Sequence, residues 1–169
     1  MATVLLNGNP IGVGGHFHRV GDIAHSFMLV DQDLKDISLS SFAGKRKIIV
    51  VVPSLDTTVG INIARKLDLV LDHLSDTVGL VVSVDTPYAQ ARVNATENFV
   101  HVKLLSTLRG RDFHKDYGVM ITDIPLSGLM ATAALVLDEG DKVLYAELVG
   151  EINSEPNFEK VRETLLPPS

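Results

Sequence analysis

The sequence, 169 residues long, contains no cysteine. This excludes disulfides, thiolate nucleophiles, iron–sulfur clusters and cysteine-ligated zinc. Redox chemistry is left to four methionines or to a bound cofactor, and methionine oxidation is more often damage than mechanism. Long apolar runs are missing as well: the most apolar stretch, residues 48–52, stops at Pro53, well short of the roughly 18 to 20 residues that a membrane span requires. Basic residues are in the minority, 15 against 21 acidic ones, for a net charge of −6. No basic block exceeds Lys45-Arg46-Lys47, and such a short run, like Arg109-Gly110-Arg111, reads as solvated surface. Nucleic acid and anionic membranes are therefore not expected partners. The opening Met1-Ala2-Thr3-Val4 lacks the basic and apolar pattern of a secretion signal, so a cytoplasmic location is expected. No repeat, linker or low-complexity segment divides the chain, and its 46% apolar content suffices for the core of one domain over residues 1–169.

What is present alternates between strand and helix signals. Residues 4–6 and 11–19 flank Asn7-Gly8-Asn9-Pro10, which reads as an N-terminal β-hairpin. A short strand is expected at residues 26–30, then a Ser-rich turn ending at Gly44. The β-branched run at 47–52 suits a central strand covered on both faces. Val59, Ile63, Leu67, Val70, Leu71 and Leu74 recur at helical spacing, with Thr57 as N-cap and Asp56 at the positive helix end. A second buried strand at 78–84 completes a βαβ unit, for which a right-handed parallel crossover is expected. A helix at 87–96, a strand at 102–105 and a helical turn at 112–117 follow. Strands at 132–137 and 143–149 flank the turn Asp138-Glu139-Gly140-Asp141, and a helix at 157–166 ends at Pro167-Pro168. This order fits an α/β, thioredoxin-like sandwich with an N-terminal extension.

Pro53-Ser54-Leu55-Asp56-Thr57-Thr58-Val59-Gly60 resembles the peroxidatic motif of bacterial thiol peroxidases, which are atypical two-cysteine peroxiredoxins. In that motif Pro-Ser-x-Asp-Thr is followed, after two further residues, by the reactive cysteine; here that position holds Gly60. Matching segments span most of the chain: Gly8-Asn9-Pro10, Phe42-Ala43-Gly44-Lys45-Arg46-Lys47, Asp85-x-Pro87-x-Ala89-Gln90-x-Arg92, Leu105-Ser106 and Ile152-Asn153-x-Glu155-Pro156. The resemblance implies a peroxiredoxin-type thioredoxin-like fold, usually homodimeric, in an antioxidant family. Its members reduce hydrogen peroxide and alkyl hydroperoxides with electrons from thioredoxin, without a further cofactor. They use a thiolate held at a helix start, a threonine and an arginine on the peroxide oxygens, and a resolving cysteine.

Carried over residue by residue, the resemblance makes Pro53 the shield of the thiol and Thr57 the peroxide's hydrogen-bond partner. It puts Gly60 in place of the nucleophile, Asn94 in place of the resolving cysteine, and Thr132 in place of the arginine. Three chemical parts are absent together, while Pro53 and Thr57 are accounted for as a strand end and a helix cap. The altered neighbours Thr58, Ile61 and Asn62 suit broad divergence or redesign better than a point replacement. The expectation is a cysteine-free divergent member, a non-catalytic homologue acting by protein interaction or assembly. The alternative is binding of a small polar ligand, or a residual non-thiol activity, in a vestigial pocket formed by Pro53, Thr57, Gly60, Asn94 and Thr132. His16 and His18, two apart on an expected strand, are compatible with metal ligation alongside His25, but hairpin histidines without a metal are commoner and no metal is expected. Gly12-Val13-Gly14-Gly15 lacks the Lys-Ser/Thr pair and helix start of a phosphate loop.

Overall fold

In the computed structural model, which describes residues 1–166, β1 (Ala2–Leu6) and β2 (Asn9–Gly14) pair antiparallel with Leu6 opposite Asn9. The turn is Asn7-Gly8 alone, at φ 52° and 84°, the positive-φ geometry that matches strand twist in a two-residue hairpin. Pro10, expected in the turn, instead lies in β2 opposite Leu5. The second arm also ends early. Gly15, at φ 94°, turns the chain so that the His16 amide donates to the Lys115 carbonyl at 2.9 Å. His16 and His18 therefore stand on a loop and not on a strand, the first exposed and the second buried.

The chain continues through β3 (Met28–Val30), β4 (Asp36–Ser38), a 3-10 turn (Leu39–Phe42), β5 (Arg46–Val51), α1 (Thr58–Leu71) and β6 (Thr77–Ser83). It then forms α2 (Pro87–Glu97), β7 (Val102–Ser106), α3 (Asp112–Asp116), β8 (Met120–Ile121), β9 (Ala133–Leu137), β10 (Val143–Leu148) and α4 (Phe158–Leu165). The expected Pro167-Pro168 stop lies outside the described residues. Neither β4 nor β8 is expected from the sequence, because three and two residues are too few to display an alternation. Seven strands form one sheet in the order β10-β9-β5-β6-β7-β3-β4, and β8 joins the hairpin in a separate β1-β2-β8 sheet. The strands β5, β6 and β7 are parallel, and β9 runs antiparallel beside β5.

The period of two along β5 divides its side chains between two cores. Ile48, Val50 and Val52 pack with Ile63 and Leu67 of α1 and Val161 of α4, while Ile49 and Val51 pack with Phe113 and Tyr117 on the opposite face. The hairpin has its own core of Val4, Ile11, Val13, Ile121, Ala131 and Ile152. One expectation about the surface fails: Lys47 is fully buried, and its Nζ donates to Asp141 Oδ1 at 2.5 Å in the β9–β10 turn. Its position on a central strand draws it inside, and the pairing is what makes a buried ammonium tolerable. Arg46 is half-buried and donates to the Leu165 carbonyl at 2.9 Å, which ties β5 to the end of α4.

His114 on α3 is buried with Nε2 3.0 Å from Thr107 Oγ1. Burial first, and the nearby Arg111 charge second, push its pKa from 6.5 down to about 4. Between those two values the unfolded chain takes up a proton that the folded chain refuses, so stability is complete above 6.5 and declines as pH falls towards 4. We predict that this one group removes about 3 kcal/mol of unfolding free energy over that interval. Urea unfolding of His114→Asn should show a correspondingly flatter pH dependence, and an unchanged slope would contradict the assignment.

Candidate functional site

The carboxyl ends of the parallel strands β5, β6 and β7 meet at one edge of the sheet, the usual place for a site in an α/β fold. A polar network centred on Asp85 organises it. Ser54 Oγ donates to Asp85 Oδ1 at 2.8 Å, and the Leu55 amide and Ser83 Oγ both donate to Oδ2 at 2.7 Å. Ser106 Oγ donates to the Asp85 carbonyl at 2.6 Å, and Gln90 Nε2 donates to Ser83 Oγ and the Leu105 carbonyl, each at 3.0 Å. Ser83, Gln90 and Ser106 are fully buried, where unpaired polar groups are costly, and of their side-chain atoms Gln90 Oε1 is without a partner among the described residues. The network thereby fixes the loop that leads from β5 into α1.

That loop carries three of the five positions singled out in the sequence. Pro53 follows Val52, whose amide bonds to the Val82 carbonyl at 3.1 Å, and is half-buried. Thr57 is the N-cap of α1: its Oγ1 accepts the Gly60 amide at 2.9 Å and donates to the Ser54 carbonyl at 3.0 Å. Both functions of the hydroxyl are thus used within the chain. Gly60 is buried in the first turn, and a Cβ built on it would lie 2.1 Å from the Ser54 carbonyl oxygen and 3.0 Å from Thr57 Oγ1. No side chain fits there unless the loop backbone moves.

Thr132 lies one position beyond the last β5–β9 pair, Val51 with Ala133, at the same end of the sheet. It is fully buried, and its Oγ1 donates to the Ile152 carbonyl at 2.8 Å, so it presents no positive charge to the loop. Asn94 is elsewhere in its contacts. Its Oδ1 accepts the Phe99 amide at 3.2 Å, and its Nδ2 is 3.5 Å from Gln32 Oε1 in the β3–β4 turn. Its backbone carbonyl receives the Asn98 amide at 2.7 Å, closing α2, with Asn98 at φ 54°.

Between α1 and α2, Asp56, Ile61, Arg92, Val93, Thr96 and Glu97 line a cleft of about 230 Å³. Arg92 and Asp56 approach to 3.8 Å but are both exposed, so the pair contributes little. Arg65 grips Glu97 with Nε on one oxygen and Nη2 on the other, at 2.9 Å for the latter, and this pairing holds the Glu97 carboxyl below its usual range. The cleft therefore offers carboxylates, one cation and a hydroxyl, but no group that cycles through an oxidised state. His16, His18 and His25 lie elsewhere, on the loop after β2. Among the described residues no group of three His, Asp or Glu side chains has the geometry to hold a metal ion.

The Redoxin family profile matches residues 19–162. A thiol peroxidase from Streptococcus parasanguinis is 41% identical over 165 residues, 98% of each chain. The chain belongs to the thiol peroxidase family. A solved thiol peroxidase from Chromobacterium violaceum superposes with a TM-score of 0.91 at 36% identity, covering 96% of this chain and 94% of that one. A peroxiredoxin-like protein from Aquifex aeolicus gives 0.91 and 36% over 96% and 95% of the two chains. The fold is therefore the peroxiredoxin-type thioredoxin-like sandwich that the sequence motifs imply, in a thiol peroxidase homologue that contains no cysteine.

The sequence alone assigns no role to Ser54, Ser83, Asp85, Gln90 or Ser106, although all but Ser83 sit in the motifs quoted above. Their signal is small polar residues placed where an apolar strand ends. The packing of Gly60 makes a prediction with an unusual sign. Replacing a helical glycine by alanine ordinarily stabilises by roughly 0.5–1 kcal/mol. Here Gly60→Ala should destabilise, by about 1–3 kcal/mol, because the new methyl meets backbone. Urea unfolding decides between them, and a stabilised variant would show that the loop yields freely.

Proposed function

We propose that this thiol peroxidase homologue does not reduce peroxides through a thiol and is a pseudoenzyme that acts through its surface, by protein interaction or assembly. The observation that carries this reading is residue 60: a family built on sulfur chemistry is represented here by a chain without sulfhydryls, with backbone closed against a glycine in the first turn of α1. On this reading Gly60 replaces the peroxidatic cysteine, Asn94 the resolving cysteine and Thr132 the pocket arginine, while Pro53 and Thr57 remain as fold elements. Peroxide reduction by this route needs a nucleophile that accepts an oxygen, becomes a sulfenic acid and is returned by a second thiol. A threonine hydroxyl does neither.

The proposal includes one domain over residues 1–169, a cytoplasmic setting and a homodimer, with no metal or cofactor. Exposed apolar side chains such as Tyr88 on α2 and Ile124 after β8, 74% and 86% exposed, are suited to a protein contact. Among the described residues no helix is long and apolar enough to cross a membrane. A second reading, small polar-ligand binding or a residual non-thiol activity, is favoured only by the α1–α2 cleft with its Arg92 and acidic lining.

In a coupled assay with thioredoxin, its reductase and an alkyl hydroperoxide, we expect no consumption of reductant above background. Turnover comparable to that of a cysteine-containing relative would overturn the proposal. Thermal-shift screening of small anions and polar metabolites tests the second reading, which requires at least one compound that protects the native protein but not an Arg92→Ala variant.

A further inference from the structure

The loop after β2 builds a separate cleft of about 700 Å³, lined by Gly15, His16, His18, Arg19, Asp22, Ile23, His25, Lys115 and Asp116. Backbone bonds fix this loop at three points: His16 amide to Lys115 carbonyl at 2.9 Å, Gly21 amide to Val143 carbonyl at 2.8 Å, and Ala24 amide to Asp141 carbonyl at 2.8 Å. Between the first two anchors the segment is held inward by the His18 ring and by Phe17, which packs against the core on that face of the sheet. The His18 ring is 4% exposed and lies against Tyr117, with centroids 4.7 Å apart. Tyr117 in turn donates its hydroxyl to the His25 carbonyl at 2.5 Å.

The protonation of His18 follows from its partner. Its Nε2 accepts the backbone amide of His25 at 2.9 Å. A ring nitrogen that accepts carries no proton, so the neutral ring holds its proton on Nδ1. Nδ1 is buried and has no partner among the described residues. Neither nitrogen offers a lone pair to another group in this arrangement. A protonated ring carries N–H on both nitrogens and would place a donor against the His25 donor.

We propose that His18 and the His25 amide form a proton-operated latch: when His18 takes up a proton the bond breaks, the ring leaves its buried position, and the segment between His16 and Gly21 swings out to open the cleft. The surroundings set the balance. His16, with its ring centroid 5.9 Å away, His25, Arg19 and Lys115 oppose a further positive charge. Asp22 and Asp116 favour one, but each has another partner: Asp22 Oδ2 accepts the Arg19 amide at 2.9 Å and lies 3.9 Å from His16, and Asp116 lies 3.5 Å from His25 Nδ1. Burial, followed by the His16 ring, holds the His18 pKa below 6.5. The latch is therefore closed at neutral pH and opens on acidification below that value.

Two NMR measurements on the intact protein test this. Long-range proton–nitrogen correlation at neutral pH should show His18 as the Nδ1–H tautomer. The protection factor of the His25 amide against hydrogen exchange, taken relative to that of a β5 core amide such as Ile49, should fall about tenfold or more between about pH 7.5 and about pH 5. In His18→Gln the side-chain carbonyl accepts the same amide without titrating, so that fall should vanish. The latch is overturned by an Nε2–H tautomer, by an unchanged ratio of His25 to core-amide protection at the two pH values in the native sequence, or by an undiminished fall of that ratio in His18→Gln. If that variant does not fold, the two native-sequence readings decide the matter alone.

Discussion

In the loop between β5 and α1, the Ser54 carbonyl oxygen occupies the space where a side chain at residue 60 would begin, and the neighbouring groups act to keep it there. Thr57 donates to that carbonyl while capping the Gly60 amide, so one hydroxyl joins the loop to the helix start. Asp85 holds the other side through the Ser54 hydroxyl and the Leu55 amide. Hydrogen bonds to a carboxylate are among the stronger kinds, and these are backed by the buried Ser83, Gln90 and Ser106. The loop is thereby attached to three parallel strands at once. Glycine at residue 60 is a requirement of this packing, and on the proposed reading it also stands where the family's nucleophile would be.

On the proposed reading, fold and chemistry have separated in this chain. The helix start with its positive end remains, and so does the Thr57 cap. Those elements serve folding in any protein, and they perform no peroxide chemistry without sulfur and a cation. Thr132 Oγ1 donates to the Ile152 carbonyl and Asn94 Oδ1 accepts the Phe99 amide beyond α2, so both side chains have structural roles that a charged or thiol side chain would have to displace.

Much of this was legible in the sequence for physical reasons. The β-branched run of β5 and the helical spacing from Val59 to Leu71 reflect burial on two faces and on one, and both elements lie where the patterns put them, except that α1 ends at Leu71 and leaves Leu74, counted in the same spacing, beyond it. Thr57 was legible as a cap because its chemistry is local. Lys47 was not, since its burial depends on Asp141 reaching it from a turn distant in sequence. The end of β2 was missed because Gly15 alone bends the chain, which put His16 and His18 on a loop with unequal burial. The closure over Gly60 was also illegible: a motif shows which side chain is missing, but only coordinates show that backbone has filled its place.

The most direct test of the central claim restores the sulfur alone. In Gly60→Cys the new side chain must displace the Ser54 carbonyl, and no arginine stands at residue 132 to activate it. We expect the folded variant to be less stable than the native sequence and to consume hydrogen peroxide no faster than free cysteine at the same pH. A stable Gly60→Cys protein that reduces peroxide rapidly would contradict the account, because it would show an active site lacking only one side chain.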